Sequence, residues 1–511
     1  MYSIVNSGGL HGVTSFMVRV ETDVSNGLPC MEMVGLLASE VKEAKERVRV
    51  ALKNSGFPLP ASHITVNLSP ADIRKEGNAY DLPIALSILQ SMQQLPEQCA
   101  EQFLVVGEVS LNGELRAVRG ILPMVMEALK NGIRKCVVPK QNVKEAGVLS
   151  DMRVFGASTL GEAVDFFKKS EEEQLILYEK PEVKDDEKAA ETAGVPDFSE
   201  VDGQEGAKRA AEIAAAGFHH LLLIGPPGAG KTMIASRLPG ILPPLSGQES
   251  LEVTAIHSVA GKLLKRGGLI KNRPFLSPHH TMTAASLTGG GNSLRPGVIS
   301  LAHRGVLFLD EMTEMRRSTL DVLRQPLEEK KVQISRNTGI VEYPADFLLV
   351  GALNPCPCGY YPDRNRCRCT ESEVRKYIGR ISGPILDRMD LVTRVENLEI
   401  TRLIKGGKGN ESSAQIRERV LRDREIQEKR FAGEEISFNA AMGVKEVHKY
   451  CRLSAKTEES MTQAFRRLNM SARGYHKVLR VARTIADLEG AEEIGMEHIG
   501  EALLYRRAEA E

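Results

Sequence analysis

Apolar positions along this chain of 511 residues fall into three regimes. Up to about residue 168, short apolar runs are interleaved with helical patterns. The short run Ile64-Thr-Val-Asn-Leu68 predicts a strand. Phe103-Leu-Val-Val106 and Lys135-Cys-Val-Val138 also predict strands, and Val41 to Ser55 and Asp81 to Met92 predict helices. This mixture predicts an α+β domain. From about residue 197 continuous apolar runs take over, each ending at a glycine or a polar residue: Leu221-Leu-Leu-Ile224 before Gly225, Gly305-Val-Leu-Phe-Leu before Asp310, and Phe347-Leu-Leu-Val-Gly-Ala-Leu before Asn354. Such runs predict a buried parallel sheet, whose ligands gather at the carboxyl ends of the strands. From about Glu396 the chain becomes helical and charged, with Val478, Val481, Ala482, Ile485 and Leu488 on one helical face. The first two regimes are separated by the charge-dense stretch around Glu171-Glu-Glu173 and Lys184-Asp-Asp-Glu-Lys188, which predicts a solvated linker. The expected units are therefore 1–168, a linker 169–195, an α/β unit 196–395 and a helical unit 396–511.

Composition narrows this picture only slightly. Lys plus Arg and Asp plus Glu both number 67, so any basic surface is local. Trp is absent and aromatics are 5%, which disfavours base stacking on a sheet as a mode of nucleic-acid recognition. No apolar run is long enough to span a bilayer, and the first residues lack a basic, then apolar, leader; a cytoplasmic protein without membrane contact is expected. Its eight cysteines are then expected as reduced thiols or metal ligands rather than disulfides.

The strongest chemical signal is Gly225-Pro226-Pro227-Gly228-Ala229-Gly230-Lys231-Thr232, which fits the phosphate-loop pattern G-x-x-x-x-G-K-[ST] behind a buried strand. Glycines let backbone N–H groups converge on phosphate oxygens at a helix N-terminus. Lys231 is placed to reach the β- and γ-phosphates and the Thr232 hydroxyl to bind Mg²⁺. Asp310-Glu311 ends the next apolar strand as a Walker B pair does: the aspartate holds Mg²⁺ through water and the glutamate polarises the attacking water. Asn354, ending a third strand, is suited to sensing the γ-phosphate or holding the water. Arg388, between Asp387 and Asp390, reads either as a salt-bridge partner or as an arginine finger acting in trans; Arg473, at the start of a helix after Ser471, reads as a contact from a helical lid. ATP and Mg²⁺ are the expected cofactors.

Several segments together resemble the AAA+ ATPases of the ComM/YifB-type, Mg-chelatase-like family. They are Asp197-Phe198 with Val201-Asp-Gly-Gln204 and Lys208-Arg-Ala210 ahead of the phosphate loop, and Ser277-Pro-His-His-Thr-Met-Thr-Ala-Ala-Ser-Leu-Thr-Gly-Gly-Gly291 as an insert in the second helix of the module. Asn354-Pro-Cys-Pro-Cys-Gly359, Arg380-Ile-Ser-Gly-Pro-Ile-Leu-Asp-Arg-Met-Asp390 and Ser471-Ala-Arg473 through Leu488 complete the match. The resemblance implies an AAA+ P-loop module with a C-terminal helical lid. It also implies a trans finger at Arg388, a second sensor at Arg473, assembly into a ring (usually a hexamer), and ATP-driven work on DNA such as branch migration in recombination or transformation. For DNA contact the sequence offers Arg295, in the Gly/Ser/Thr-rich stretch 277–297, and Lys330, Lys331 and Arg336, in a predicted hairpin that also reads as ordinary solvated surface.

Two further features stand apart. Cys356, Cys358, Cys367 and Cys369 form C-x-C-x8-C-x-C on a polar loop; four thiolates suit a structural tetrahedral Zn²⁺, and the same residues also read as reduced thiols. Val105-Val-Gly-Glu-Val-Ser-Leu-Asn-Gly-Glu-Leu115 through Gly132-Ile133 resembles the proteolytic domain of Lon-type proteases, with a ribosomal S5-like fold. The matched nucleophile and base positions are Ala79 and Leu122, which have no such chemistry. Three rivals to a DNA motor stay open at this point: a protein unfoldase, a metal-insertion ATPase and a nucleotide-gated DNA-binding scaffold without motor action.

Overall fold

The computed structural model describes residues 2–179, 195–264, 267–291, 294–336, 339–396, 410–467 and 470–510. The N-terminal unit is built on a seven-stranded sheet in the spatial order Cys30–Val34, His63–Ser69, Thr14–Ser25, Tyr2–His11, Phe103–Val105, Lys135–Pro139, Arg153–Ala157. The two long first strands form an antiparallel hairpin, while the Phe103, Lys135 and Arg153 strands run parallel. Both faces are covered. Phe103 and Val105 join the core under the helix Asp81–Ser91, and their neighbours Leu104 and Val106 join the core under the helix Ile121–Lys130. The strand predicted at Ile64 to Leu68 is present, and its burial alternates: Ile64, Val66 and Leu68 are buried, and Thr65 and Asn67 are not. Ala79 and Leu122 are both buried apolar positions, so no dyad exists there. Lys75 is fully buried as well, its ammonium donating to the carbonyls of Pro70 and Ile73.

Part of the expected linker is ordered. Glu171–Leu177 is helical, with a Ser170/Glu173 capping box, and Gln174 Nε2 donates to Phe166 O at 3.1 Å. Tyr178 then meets the Phe166 ring edge-on, and Glu179 bridges to Val154. Gln174, Tyr178 and Glu179 dock this stretch on the N-terminal unit, while Leu175 and Ile176 stay exposed. Residues 180–194, the remainder of the linker, lie outside the described residues.

The second unit is α/β, with a five-stranded, wholly parallel sheet in the order Phe275–Leu276, Val306–Leu309, Leu348–Leu353, Leu221–Ile224, Leu391–Arg394. The strand Leu221–Ile224, between Leu348–Leu353 and Leu391–Arg394, is buried on both faces. Leu221 and Leu223 meet the helices Glu205–Gly217 and Lys231–Ile241, and Leu222 packs with Leu349 and Val392 on the other side. The C-terminal helices close over the first of these faces. In the helix Ala472–Leu488, capped by Ser471, Val478, Val481, Ala482 and Ile485 are buried in the same core, so the predicted apolar stripe is packing surface. Among the described residues no helix is long and apolar enough to cross a membrane.

The two units touch at the end of the helix Gly247–Val259. Ser258 O accepts from Gly120 N at 3.2 Å, and its hydroxyl donates to the buried Glu145 carboxylate, which also accepts from Leu122 N. A second contact sets Gly12 and Val13 against the hairpin strand Gly339–Pro344.

Asp423, on the helix Ser413–Arg430, is fully buried; one oxygen accepts from Gln427 and the other has no partner among the described residues. Burial, then the nearby Asp487 charge, raises its pKa from the ordinary 3.8 to about 8. A carboxyl held neutral only in the folded chain contributes stability that is complete below the ordinary pKa and is lost as pH rises through the folded one. The thermal unfolding midpoint is therefore expected to fall between about pH 4 and about pH 8, and Asp423→Asn to flatten that slope, as melts across this range would show.

Candidate nucleotide site

The loop between the strand Leu221–Ile224 and the helix Lys231–Ile241 is shaped by two different demands on glycine. Gly228 and Gly230 have φ of +77° and +97° with open space where a Cβ would project, so they are needed for backbone conformation and leave their N–H groups uncovered. Gly225 is needed for proximity: a Cβ there would lie 2.2 Å from Val395 O, on the neighbouring strand's exit. Lys231 is nearly buried, and its ammonium donates to Gly225 O at 2.7 Å, Pro226 O at 3.0 Å and Asn354 Oδ1 at 3.0 Å. All three partners are neutral. Burial lowers its pKa, and the charges of Asp310 and Glu311 oppose the shift. A buried ammonium without a carboxylate partner, at the mouth of a loop of free amides, is matched to a polyanion.

The other sequence-derived groups converge here. Asp310 follows the strand Val306–Leu309; its Oδ2 accepts from the Thr232 hydroxyl at 2.9 Å and its Oδ1 from Glu311 N at 2.9 Å. This hydroxyl and carboxylate are hard oxygen donors of the kind Mg²⁺ takes. Glu311 itself adopts φ +49°, a left-handed conformation that directs its carboxylate away from Asp310, and Oε2 lies 3.0 Å from His280 Nδ1. Gly225 to Thr232, Asp310, Glu311 and Asn354 thus share one edge of the sheet, and they fit ATP with Mg²⁺.

Arg388 and Arg473 are not on that edge. The strand Leu391–Arg394 runs parallel to the phosphate-loop strand with Leu221 opposite Leu391 and Ile224 opposite Arg394, so Arg388, just before it, sits at the amino ends. Four strand residues separate the two edges by about 13 Å. Arg388 donates to Pro384 O and pairs with Glu328, and its Nε has no partner among the described residues. Arg473 Nη1 lies 3.9 Å from Asp387 Oδ2 and is largely exposed. The lid helix is anchored on this same amino edge, with Lys477 Nζ donating to Met389 O at 3.0 Å and pairing with Asp390 at 3.6 Å. A contact from Arg473 to the chain's own phosphate loop is therefore not formed.

Two residues in the site were not singled out from the sequence. Gln204, with φ +58°, donates from Nε2 to Glu396 O at 2.6 Å and Ala229 O at 3.2 Å and accepts from Glu396 N at 3.3 Å, tying the phosphate loop to the sheet exit. No spacing rule marks such a residue. His280 was discoverable, because it follows the strand Phe275–Leu276, whose carboxyl end adjoins that of Val306–Leu309.

The four clustered cysteines lie directly beyond Asn354. Their sulfurs are all within 4.8 Å of one another, with Cys356–Cys358 at 3.3 Å, Cys358–Cys367 at 3.5 Å and Cys356–Cys367 at 3.7 Å. A tetrahedral ion with bonds of about 2.3 Å sets sulfurs about 3.8 Å apart, so this set could hold a metal. The arginines between them are locally engaged: Arg366 stacks 3.9 Å over Tyr360, and Arg364 donates to Cys369 O at 2.9 Å.

The candidate DNA residues are spread out. Arg295 is exposed on the short hairpin Gly289–Gly290/Arg295–Pro296, near enough to Arg119 of the N-terminal unit for the charges to interact. In the hairpin Lys331–Arg336/Gly339–Pro344, Lys331 is at the base and pairs with Glu342 at 3.0 Å. Lys330 precedes it, pairs with Asp346 at 3.4 Å, and lines a cavity of about 180 Å³ together with Arg388. Arg336 is at the turn end on the backbone; its side chain lies outside the described residues.

Residues 197–403 match the family model described as magnesium chelatase, subunit ChlI; residues 20–142 match subunit ChlI of Mg-chelatase, and 410–506 its C-terminal part. The chain is 43% identical over 504 residues to competence protein ComM of Haemophilus influenzae, covering 99% of this chain and 97% of that one. It is 42% identical over 506 residues to protein YifB of Salmonella typhimurium, described as uncharacterized, with 99% and 97% covered. It is also 31% identical over 120 residues to DNA repair protein RadA of Listeria monocytogenes, 24% of each chain.

Replacing Gln204 by Ala removes the three hydrogen bonds that tie the loop to the sheet exit, a loss of about 1–2 kcal/mol. Nucleotide affinity, titrated with a fluorescent ATP analogue, is expected to weaken about tenfold, with the thermal unfolding midpoint nearly unchanged.

Proposed function

Since the chain belongs to the ComM/YifB-type, Mg-chelatase-like family of AAA+ ATPases, we propose that it is a ring-forming, Mg²⁺- and ATP-dependent DNA motor that drives branch migration. The observation that carries this reading is the division of the catalytic set between two edges of one sheet. Lys231, Thr232, Asp310, Glu311 and Asn354 meet at the carboxyl edge, while Arg388 and Arg473 stand at the amino edge. Within one chain neither Arg388 nor Arg473 reaches the nucleotide site at the carboxyl edge. Rotationally arranged copies, each presenting its amino edge to the next carboxyl edge, bring them together.

In that arrangement the amides of Gly228, Gly230, Lys231 and Thr232 and the Lys231 ammonium bind the phosphates, and Thr232 with Asp310 would hold Mg²⁺. Bound Mg²⁺ supplies charge neutralisation at the phosphates. Glu311 accepts the proton of the attacking water once its carboxylate leaves His280, and Asn354, freed from Lys231, orients that water. Arg388 and Arg473 of the adjacent subunit neutralise the charge that develops as the terminal bond breaks. Glu328 holds Arg388 until that partner arrives.

DNA as the substrate is supported by the relatives' names, one a competence protein and one a DNA repair protein. It is further supported by the exposed Arg295 and by the hairpin end that carries Arg336. Lys330 and Lys331 are committed to carboxylates at the hairpin base and are weaker candidates for the same role. The four thiolates are read as a structural Zn²⁺ site, and the protein as one of the cytoplasm.

Glu311→Gln is expected to bind ATP with near-normal affinity but to turn over at least about 10²-fold more slowly. It is also expected to leave synthetic Holliday junctions unmigrated in a gel assay where the wild type moves them. Arg388→Ala and Lys231→Ala subunits, each inactive alone, should regain ATPase activity when mixed. Wild-type turnover by Arg388→Ala rings would refute the trans assignment, and turnover indifferent to branched DNA would refute the substrate.

A further inference from the structure

The cysteine loop is placed as a mechanical element of the nucleotide site. It leaves the strand Leu348–Leu353 through Asn354, whose side chain holds Lys231, and turns at Gly359. Gly359 has φ +87°, and a Cβ there would stand 2.5 Å from Pro227 Cδ, so the turn rests directly against the phosphate loop. Almost nothing apolar holds this turn in place. Among the described residues the fully buried core of the loop is Cys356, Cys367 and Val374, with Tyr360, Tyr361 and Ile378 only partly buried against it. Between the loop and the strand ends lies a cavity of about 280 Å³, bordered by Ile224, Leu353, Tyr360, Ile378 and Val392. A segment this short, resting over a void, needs a cross-link to keep one conformation, and its core consists largely of converging sulfurs.

We infer that a Zn²⁺ held by Cys356, Cys358, Cys367 and Cys369 acts as a strut that fixes the phosphate loop, so that nucleotide affinity depends on metal occupancy. The inference rests on reading the four thiolates as a metal site and adds a function to it. With the ion bound, Gly359 supports Pro227 from below and Asn354 is held at the distance that engages Lys231. Without it the four sulfurs are separate thiols, the turn sinks toward the cavity, and the phosphate loop loses its backing. Soft thiolates select a soft or borderline cation, so Mg²⁺ at Thr232 and Asp310 does not compete for them.

The test uses the full-length protein. Metal content is measured by plasma mass spectrometry before and after chelation, and the stripped protein is returned to Mg²⁺ buffer with or without added Zn²⁺. Affinity for a fluorescent ATP analogue is titrated in each state, with thermal unfolding as the check on folding. About one Zn²⁺ per chain is expected, with affinity about tenfold weaker in the stripped protein and restored by Zn²⁺. Gly359→Ala separates the strut from the metal, because it keeps all four sulfurs and crowds Pro227. It is expected to retain Zn²⁺ and still to bind nucleotide more weakly. Equal affinity of stripped and loaded protein, with Zn²⁺ demonstrably bound in the latter, overturns the strut and leaves the metal site standing. Absence of Zn²⁺ from the purified protein, together with failure to take it up, overturns the metal reading and the strut with it.

Discussion

The parallel pairing of the strand Leu221–Ile224 with its two neighbours is the constraint on which the rest of the second unit depends. Parallel strands put all their carboxyl ends on one edge, so three apolar runs far apart in the chain deliver Gly225, Asp310 and Asn354 to the same place. The same direction rule sends whatever precedes a strand to the opposite edge. Arg388 is separated from the phosphate loop because it precedes Leu391 by three residues, and no side-chain rearrangement spans that gap within one chain. The separation of Arg388 from the phosphate loop follows from strand direction rather than from any property of the arginine.

Electrostatics in the site follow a second rule: charges are held by groups that can be exchanged. Lys231 is satisfied by two backbone carbonyls and an amide, Glu311 by His280, and Arg388 by Glu328. Each of these contacts keeps a charge from being orphaned and is weak enough to yield to a phosphate. By contrast, the lid is fastened with contacts that are not offered to a ligand. Lys477 is buried against Asp390 and Met389 O, and Arg430 pairs in a fork with the buried Asp487. The lid is thereby tied to the amino edge, which keeps Arg473 beside Asp387 and Arg388.

In the N-terminal unit the two positions that the resemblance to Lon-type proteases aligns with a nucleophile and a base, Ala79 and Leu122, are packing positions. Leu122 donates its backbone N–H to Glu145, which also receives the Ser258 hydroxyl of the second unit. The region around Leu122 is in this way part of the joint between the two units. Contact of Gly12 with Val341 places the same unit against the hairpin that carries Arg336, and Arg119 stands beside Arg295.

The sequence by itself determined the element types and the identity of the phosphate-binding groups. Strand burial, the stripe from Val478 to Ile485 and the pattern Gly225 to Thr232 are local regularities, set by side-chain period and backbone freedom, and these are legible over a few residues. It also determined that Ala79 and Leu122 perform no nucleophilic chemistry, since composition alone decides that. What only the tertiary structure decided are relations between distant segments. Asp197 to Gln204 carries no spacing signal for Gln204's hold on Ala229 and Glu396. The charged run after residue 169 does not announce that Gln174 and Tyr178 dock on Phe166. Lys75 looks like a solvated charge until the Pro70 and Ile73 carbonyls enclose it, and Gly359 looks like an ordinary turn glycine until Pro227 is set against it. In each case the deciding contact is made by a partner that the chain brings up only after folding, and burial, charge state and reach are properties of that pairing rather than of the residue.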